Sequence, residues 1–178
     1  MKNKVNKKKV KKPIKKVAKK PVKKQIPKKK TGGFLGKYVI DTSIIAAKKL
    51  SFLIEKKGLR GKVIIPDASI AELEHQANIG KEIGFDGLDE LAKLHKFKNK
   101  YSLKIEFAPP RPTAHEIKYA KSGEIDALIR SLAFGKEATL ITSDFVQAKS
   151  AAAYGIKVWF VRAKPRVQKK SFSFFGKR

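Results

Sequence analysis

The segment YVIDTSII, Tyr38 to Ile45, decides the fold because it joins a strand-like run to a helix-like run at one acidic residue. Its first three residues are apolar and β-prone, which predicts a short buried strand at 38–40. Asp41 follows, and the next residues predict a helix from Thr42 to Glu55. The segment therefore predicts a β-α unit with a carboxylate at the carboxyl end of its strand, in a chain whose formal net charge is +28.

The same alternation continues along the chain and predicts the fold class. Further strands are predicted at 62–66, 103–107, 137–142 and 156–161, and further helices at 67–78, 85–97, 123–135 and 144–155. The helix at 67–78 is predicted to begin at an Asp67 cap, and the prolines between 109 and 112 predict a rigid loop. Alternating strands and helices are typical of a parallel sheet covered by helices. We therefore predict a three-layer α/β/α sandwich with a central parallel sheet of about five strands.

Three parts of the 178-residue chain differ in composition. Residues 1–32 hold sixteen Lys and no acid, and a helix there would stack Lys pairs at i,i+4 spacing and meet Pro13 and Pro21, so a disordered tail is predicted. Residues 33–161 carry the β-α alternation and are the predicted folded domain. Residues 162–178 are basic and contain three Phe, which either dock on the domain or stack on nucleic-acid bases.

The lysine pairs of residues 1–32 predict a non-specific nucleic-acid-binding arm, with plain solubility as the alternative. Residues 33–178 are also basic, with a net charge of +12, so nucleic acid is the first partner to consider and an anionic membrane surface comes after it. Lys outnumbers Arg by 37 to 6, which suits contacts to phosphates better than base readout. The predicted arm residues are Lys11, Lys12, Lys15, Lys16, Lys19, Lys20, Lys23 and Lys24.

Several classes of protein are excluded by what the sequence lacks. Without Cys there is no disulfide framework, thiolate metal site or Cys nucleophile. No apolar run approaches the ~20 residues of a membrane span, and the amino-terminal residues lack the apolar core of a signal peptide. We therefore expect a cytoplasmic protein without a membrane partner. His75, His95 and His115 have no i,i+4 pairing, so we predict surface residues and no histidine metal site.

A small set of acids is placed where ligands bind in α/β proteins. Asp41 and Asp144 each follow a predicted strand, and ligands of open α/β sheets bind beyond the carboxyl ends of strands. Helix capping is the alternative for both. Glu72 and Glu74 share a helix, and periodicity does not decide which of them faces a crevice. Asp126 precedes Arg130 by four residues, so a surface ion pair is its alternative role.

These acids stand in motifs that resemble the PIN domain nucleases. The likeness runs from Lys37 to Val161 and is carried by four motifs: DTS with Asp41, PDASIAEL with Glu72, GEIDALIRSLA with Asp126, and ITSD with Asp144. The segment ELEHQANIGKEIGFDGLDEL, residues 72–91, is similar to the PIN domains of archaeal PIN-ATPase proteins. The resemblance alone selects Glu72 over Glu74. It also implies a PIN-like form of the predicted sandwich.

The resemblance implies a divalent-metal-dependent ribonuclease, a hydrolase acting on phosphodiester bonds and most simply an endoribonuclease. Asp41, Glu72, Asp126 and Asp144 would be the catalytic residues and the ligands of Mg²⁺ or Mn²⁺, hard ions that prefer oxygen. Two such ions about 3.5 to 4 Å apart can activate water and stabilise the leaving oxygen. Predicted supporting residues, which hydrogen-bond the ligands or add to them, are Thr42, Ser43, Glu124 and Ser143.

Other functions stay open. One is a non-catalytic PIN-fold adaptor that binds RNA or DNA, and another is a toxin-type ribonuclease with an acidic antitoxin partner. RNA is the expected substrate, single-stranded or structured, with DNA and ribosomal RNA as alternatives. A homo-oligomer and a separate protein partner are both compatible with the sequence. The segment GGFLGK, 32–37, is one residue short of Walker A spacing, so no ATPase activity is expected.

Overall fold

The computed structural model describes residues 34–121 and 123–162. The predicted Lys-rich tail at 1–32, with its eight arm lysines, therefore lies outside the described residues. Of the predicted basic segment at 162–178, only Arg162 is described. The domain boundaries at 32 and 162 stay predictions.

Five strands and seven helices are described, and they alternate as the sequence predicts. The strands are β1 (Phe34–Ile40), β2 (Leu59–Pro66), β3 (Leu103–Ala108), β4 (Thr139–Thr142) and β5 (Val158–Phe160). The helices are α1 (Thr42–Ala46), α2 (Leu50–Lys56), α3 (Asp67–Asn78), α4 (Glu82–Lys100), α5 (Ala114–Tyr119), α6 (Glu124–Gly135) and α7 (Phe145–Ala153). None of these described helices is both long and apolar enough to span a membrane.

The five strands form one parallel sheet in the order β3-β2-β1-β4-β5. The order reverses between β1 and β4, where Val39 pairs with Leu140 and Ile40 with Ile141. The backbone N–H of Asp41 continues this pairing by donating to the Ile141 carbonyl at 3.0 Å. The ends of β1 and β4 therefore form the topological switch point at which α/β sheets bind ligands.

Apolar side chains cover both faces of the sheet, as its alternating strand residues require. Ile40, Val63 and Ile141 belong to a core cluster shared with helices α1 to α4. Val39 and Leu140 belong to a second cluster on the opposite face, shared with α6 and α7. Helices thus cover both faces, which confirms the predicted three-layer α/β/α sandwich.

The single helix predicted at 42–55 is wrong, because the chain breaks between α1 and α2. Lys48 adopts a positive φ of 52°, and the N–H of Lys49 donates to the Ile44 carbonyl at 3.0 Å. This is the left-handed helix ending that glycine usually provides. Here Lys48 adopts the left-handed conformation, and its side chain pairs with Asp86 at 2.5 Å. Because residues 42–55 contain neither Gly nor Pro, the sequence did not indicate the break.

Other boundaries also differ from the sequence predictions. The N-cap of α3 is Pro66, and Asp67 lies in the first turn instead of capping it. Helix α4 is longer at both ends than the predicted 85–97. The predicted loop at 109–112 contains no helix or strand, and α5, which was not predicted, follows it and begins at a capping box between Thr113 and Glu116. Residues 34–37 of the GGFLGK segment are the start of β1.

Candidate functional site

A cleft of about 480 Å³ lies at the carboxyl ends of β1 and β4. Different elements bring acids to it: one follows β1, one lies on α3, one is in the first turn of α6 and one follows β4. These acids, all four predicted from the sequence, are Asp41, Glu72, Asp126 and Asp144. Residues separated by more than one hundred positions therefore meet in one cleft.

Asp41 is the most buried of the four acids, with 2 % of its surface exposed. Its Oδ2 accepts hydrogen bonds from the Ser43 hydroxyl at 2.5 Å and from the Thr142 hydroxyl at 2.7 Å. Burial and the charge of Asp144 raise the pKa of Asp41, while the two hydroxyl donors oppose this. Asp41 is the N-cap residue of α1, but its side chain bonds to the Ser43 and Thr142 hydroxyls, so it both begins the helix and lines the cleft.

The orientation of α3 about its axis places Glu72 and Glu74, which the sequence could not distinguish, in different cavities. Glu72 lines the cleft, where burial and the charges of Asp41 and Asp126 raise its pKa. Glu74 pairs with Arg111 and lines a neighbouring cavity of about 340 Å³. The carboxylate chosen by family resemblance is thus the one that faces the other acids.

Asp126 is half-buried at the start of α6. Burial is the main cause that raises its pKa, the charges of Asp41 and Asp144 add to it, and the charge of Arg130 lowers it. No ion pair joins Asp126 to Arg130 among the described side chains; the guanidinium donates instead to Gln147 Oε1 at 2.8 Å. The alternative role of Asp126 in a surface ion pair is therefore wrong.

Gln147 connects the two acids on the α6-α7 side, and sequence reasoning missed it. Its Nε2 donates to the Asp126 carbonyl at 3.0 Å, and its backbone N–H donates to Asp144 Oδ1 at 2.9 Å. Asp144 therefore does cap α7 while it lines the cleft. The buried amide fixes the start of α6 relative to the start of α7, a link that no local sequence pattern reveals.

The predicted supporting residues divide into two groups. Ser43 and Ser143 are tied together, since the Ser143 N–H donates to Ser43 Oγ at 3.0 Å. Thr42 lines the cleft and lowers the pKa of Glu72, yet its buried Oγ1 has no hydrogen-bond partner of normal geometry. Glu124 is exposed, lies outside the cleft lining and accepts from the Lys121 N–H at 3.0 Å, so its prediction as a ligand or supporting residue is not met.

Three basic residues that line the cleft, two lysines and a histidine, were not predicted as site residues. Lys81 and Lys121 line the cleft and bring positive charge beside the acids. His75 also lines it and is half-buried, whereas His95 and His115 are exposed. The i,i+3 spacing of Glu72 and His75 on α3 was the sequence signal that could have placed the imidazole there.

Six lysines that could have carried positive charge to a substrate path lie outside the cleft lining. Lys48 pairs with Asp86, and Lys49 donates to the Arg162 carbonyl at 3.1 Å. The remaining four are in the last half of α4, outside the cleft lining: Lys93, Lys96, Lys98 and Lys100.

The cleft suits a hard divalent ion by donor type. Four carboxylates and the unpartnered Thr42 hydroxyl provide oxygen atoms of the kind that Mg²⁺ and Mn²⁺ prefer. Within residues 34–121 and 123–162, however, no three Asp, Glu or His side chains already surround one point as metal ligands. The hydrogen bonds of Asp41 and Asp144 to their neighbours use Oδ2 of Asp41 and Oδ1 of Asp144, so they orient each carboxylate while its other oxygen can coordinate an ion.

Asp126→Asn is expected to stabilise the metal-free protein at neutral pH by about 1 kcal/mol or less, because solvent screens this half-exposed acid. The pKa of Asp126 is raised above 3.8, so its contribution to stability is present at low pH and is lost as pH rises through the folded-state pKa. Urea unfolding in chelator across pH measures this. The gain should vanish below the ordinary pKa; a gain of equal size there would contradict the electrostatic cause.

Asp89→Asn is the matched control, because Asp89 is exposed on α4 outside the cleft. Its free energy of unfolding is expected to change by less than about 0.5 kcal/mol.

Comparison with known proteins gives a family match, and the similar proteins include two from one organism. The PIN domain model matches residues 38–153. A KH and PIN-domain containing protein of Methanocaldococcus jannaschii is 44 % identical over 131 residues, which are 72 % of this chain and 20 % of that protein. A solved domain of a functionally unknown protein from the same organism is 42 % identical, with a TM-score of 0.69 over 72 % of this chain and 93 % of the domain. The chain thus spans about a fifth of the length of the first relative.

Proposed function

The chain belongs to the PIN domain family, and we propose that it is a divalent-metal-dependent ribonuclease that hydrolyses phosphodiester bonds of single-stranded or structured RNA. One observation carries the proposal. A chain of net charge +28 gathers four of its few acids, with raised pKa values at Asp41, Glu72 and Asp126, in one cleft at the sheet's switch point. Burial and mutual repulsion raise the free energy of these ionised carboxylates unless cations are bound beside them.

The four cleft acids would hold one or two Mg²⁺ or Mn²⁺ ions. A divalent ion supplies Lewis-acid chemistry at such a site: it activates water and stabilises charge on the phosphate. Asp41 is positioned for this role by Ser43 and Thr142, and Asp144 by Gln147. Lys81 and Lys121 would contact the RNA phosphates beside the scissile bond.

RNA is favoured over DNA by the domain composition of the relative. The name of the M. jannaschii protein includes a KH domain, and KH domains clamp short nucleic-acid segments through a GXXG loop. The Lys-rich residues 1–32 would add non-specific affinity for the same polymer. A cytoplasmic location, the finer likeness to PIN-ATPase proteins, and a homo-oligomer or separate protein partner remain predictions.

We expect cleavage of end-labelled single-stranded RNA in Mn²⁺ or Mg²⁺ and none in chelator, because the bound ion would activate the water and stabilise charge on the phosphate. The products are resolved on a denaturing gel, with labelled DNA of the same sequence in parallel. Cleavage that persists in chelator, in a preparation free of contaminating nuclease, would contradict a metal-dependent site. Cleavage of DNA alone would overturn the assignment of RNA.

A non-catalytic nucleic-acid-binding adaptor is the second candidate. It is favoured by one observation, namely that the acids of the described residues do not already form a three-ligand metal site. Tight RNA binding without cleavage in either metal would support it.

A further inference from the structure

An exposed aromatic pair lies next to cleft residues in the chain, and we propose that Phe145 and Phe160 are a stacking platform for a base of a single-stranded nucleic acid that enters the cleft. This proposal rests on the proposed function, because it takes the ligand of the cleft to be a nucleic acid. It adds a binding site for a base, whereas the acids and lysines of the cleft act on the sugar-phosphate backbone.

The platform adjoins the acids through direct chain connections. Phe145 follows Asp144 in sequence and begins α7. Phe160 ends β5 and is the register partner of Thr142, whose hydroxyl donates to Asp41. The two rings meet edge to face, with centroids 6.1 Å apart. A nucleotide next to the scissile phosphate would therefore lie within reach of these rings.

Exposure and charge at the rings favour a nucleic-acid strand as the occupant. Phe145 is 62 % exposed and Phe160 is 39 % exposed, although large apolar side chains are usually buried. Lys149 Nζ lies 5.4 Å from the centroid of the Phe145 ring. An aromatic face beside an ammonium group suits a base and its phosphate together, since every base has a face that stacks and every linkage is anionic.

The test measures the affinity of the full chain for fluorescein-labelled oligoadenylate and for an abasic ribose-phosphate strand of equal length. Both are measured in chelator, which prevents cleavage, and at elevated salt, which weakens binding through the lysines. Phe145→Ala is expected to weaken oligoadenylate binding roughly 5- to 100-fold, the effect of one lost base stack. Binding of the abasic strand should not change.

Matched variants distinguish stacking from simple apolar contact. Phe145→Leu keeps an apolar side chain without the aromatic face and should behave like Phe145→Ala, whereas Phe145→Tyr should bind like the wild type. Phe134→Ala is the control for loss of an exposed Phe, because Phe134 is 65 % exposed at the opposite end of α6 from Asp126. It should leave both affinities unchanged.

Three results would overturn the platform. They are wild-type oligoadenylate affinity in Phe145→Ala or in Phe145→Leu, an equal loss on the abasic strand, or a change in oligomeric state in Phe145→Ala without a change in oligoadenylate affinity. The last would mean that a second copy of the chain covers these rings. If the wild type binds neither strand, the proposed function itself fails; if it cleaves RNA while Phe145→Ala binds normally, only the platform fails.

Discussion

Asp41→Asn is expected to lower the rate of RNA cleavage by about 100-fold or more. Loss of a residue that only hydrogen-bonds a metal ligand already costs about 10- to 100-fold in metal affinity or activity, and loss of a ligand should cost at least as much. Asparagine has the size of aspartate, and its carbonyl oxygen can accept from Ser43 and Thr142 as Asp41 Oδ2 does. The fold and the affinity for RNA should therefore be kept while the charge for the cation is lost. Single-turnover cleavage in Mn²⁺, with binding measured in chelator, separates the two.

The two glutamates of α3 provide a matched pair for the same experiment. Glu72→Gln should lose cleavage as Asp41→Asn does, because Glu72 faces Asp41 and Asp126. Glu74→Gln should retain it, because Glu74 pairs with Arg111 in the neighbouring cavity. Equal activity in Glu72→Gln and Glu74→Gln would show that the α3 acid is not part of the catalytic site.

Gly84→Ala is expected to destabilise the fold by about 3 kcal/mol or more. A Cβ at Gly84 would lie 2.6 Å from the Leu73 carbonyl oxygen and closer still to the Ala77 nitrogen, so α4 would have to move away from the backbone of α3. Helix propensity alone predicts the opposite sign, a gain of about 1 kcal/mol. The free energy of urea unfolding measures which effect is larger.

Gly135→Ala is the control for this substitution. Gly135 ends α6, and no atom lies within 4 Å of a Cβ built there. We expect a change between zero and a gain of about 1 kcal/mol. A neutral or stabilising Gly84→Ala would mean that α3 and α4 can separate freely, and Glu72 would then not be held rigidly in the cleft.

The acids of the cleft could be predicted because their local contexts are informative. Asp41 and Asp144 follow apolar strands directly, and Glu72 and Asp126 stand in helical segments that resemble a known family. Thr142 and Gln147 could not be predicted in the same way. A hydroxyl at the end of a strand and an amide within a helix have no local pattern that distinguishes a site residue from an ordinary one.

Sequence by itself determined the alternation of strands and helices, the parallel sheet and the order of the four acids, because each depends on periodicity or on contiguous motifs. Tertiary structure alone decided that β1 lies beside β4, that α3 turns Glu72 and His75 into the cleft, and that Lys48 ends a helix. It also brought Lys81 and Lys121 into one cleft with the acids. The physical reason is that periodicity reports which residues a segment buries, whereas strand order and helix rotation follow from long-range contacts between segments.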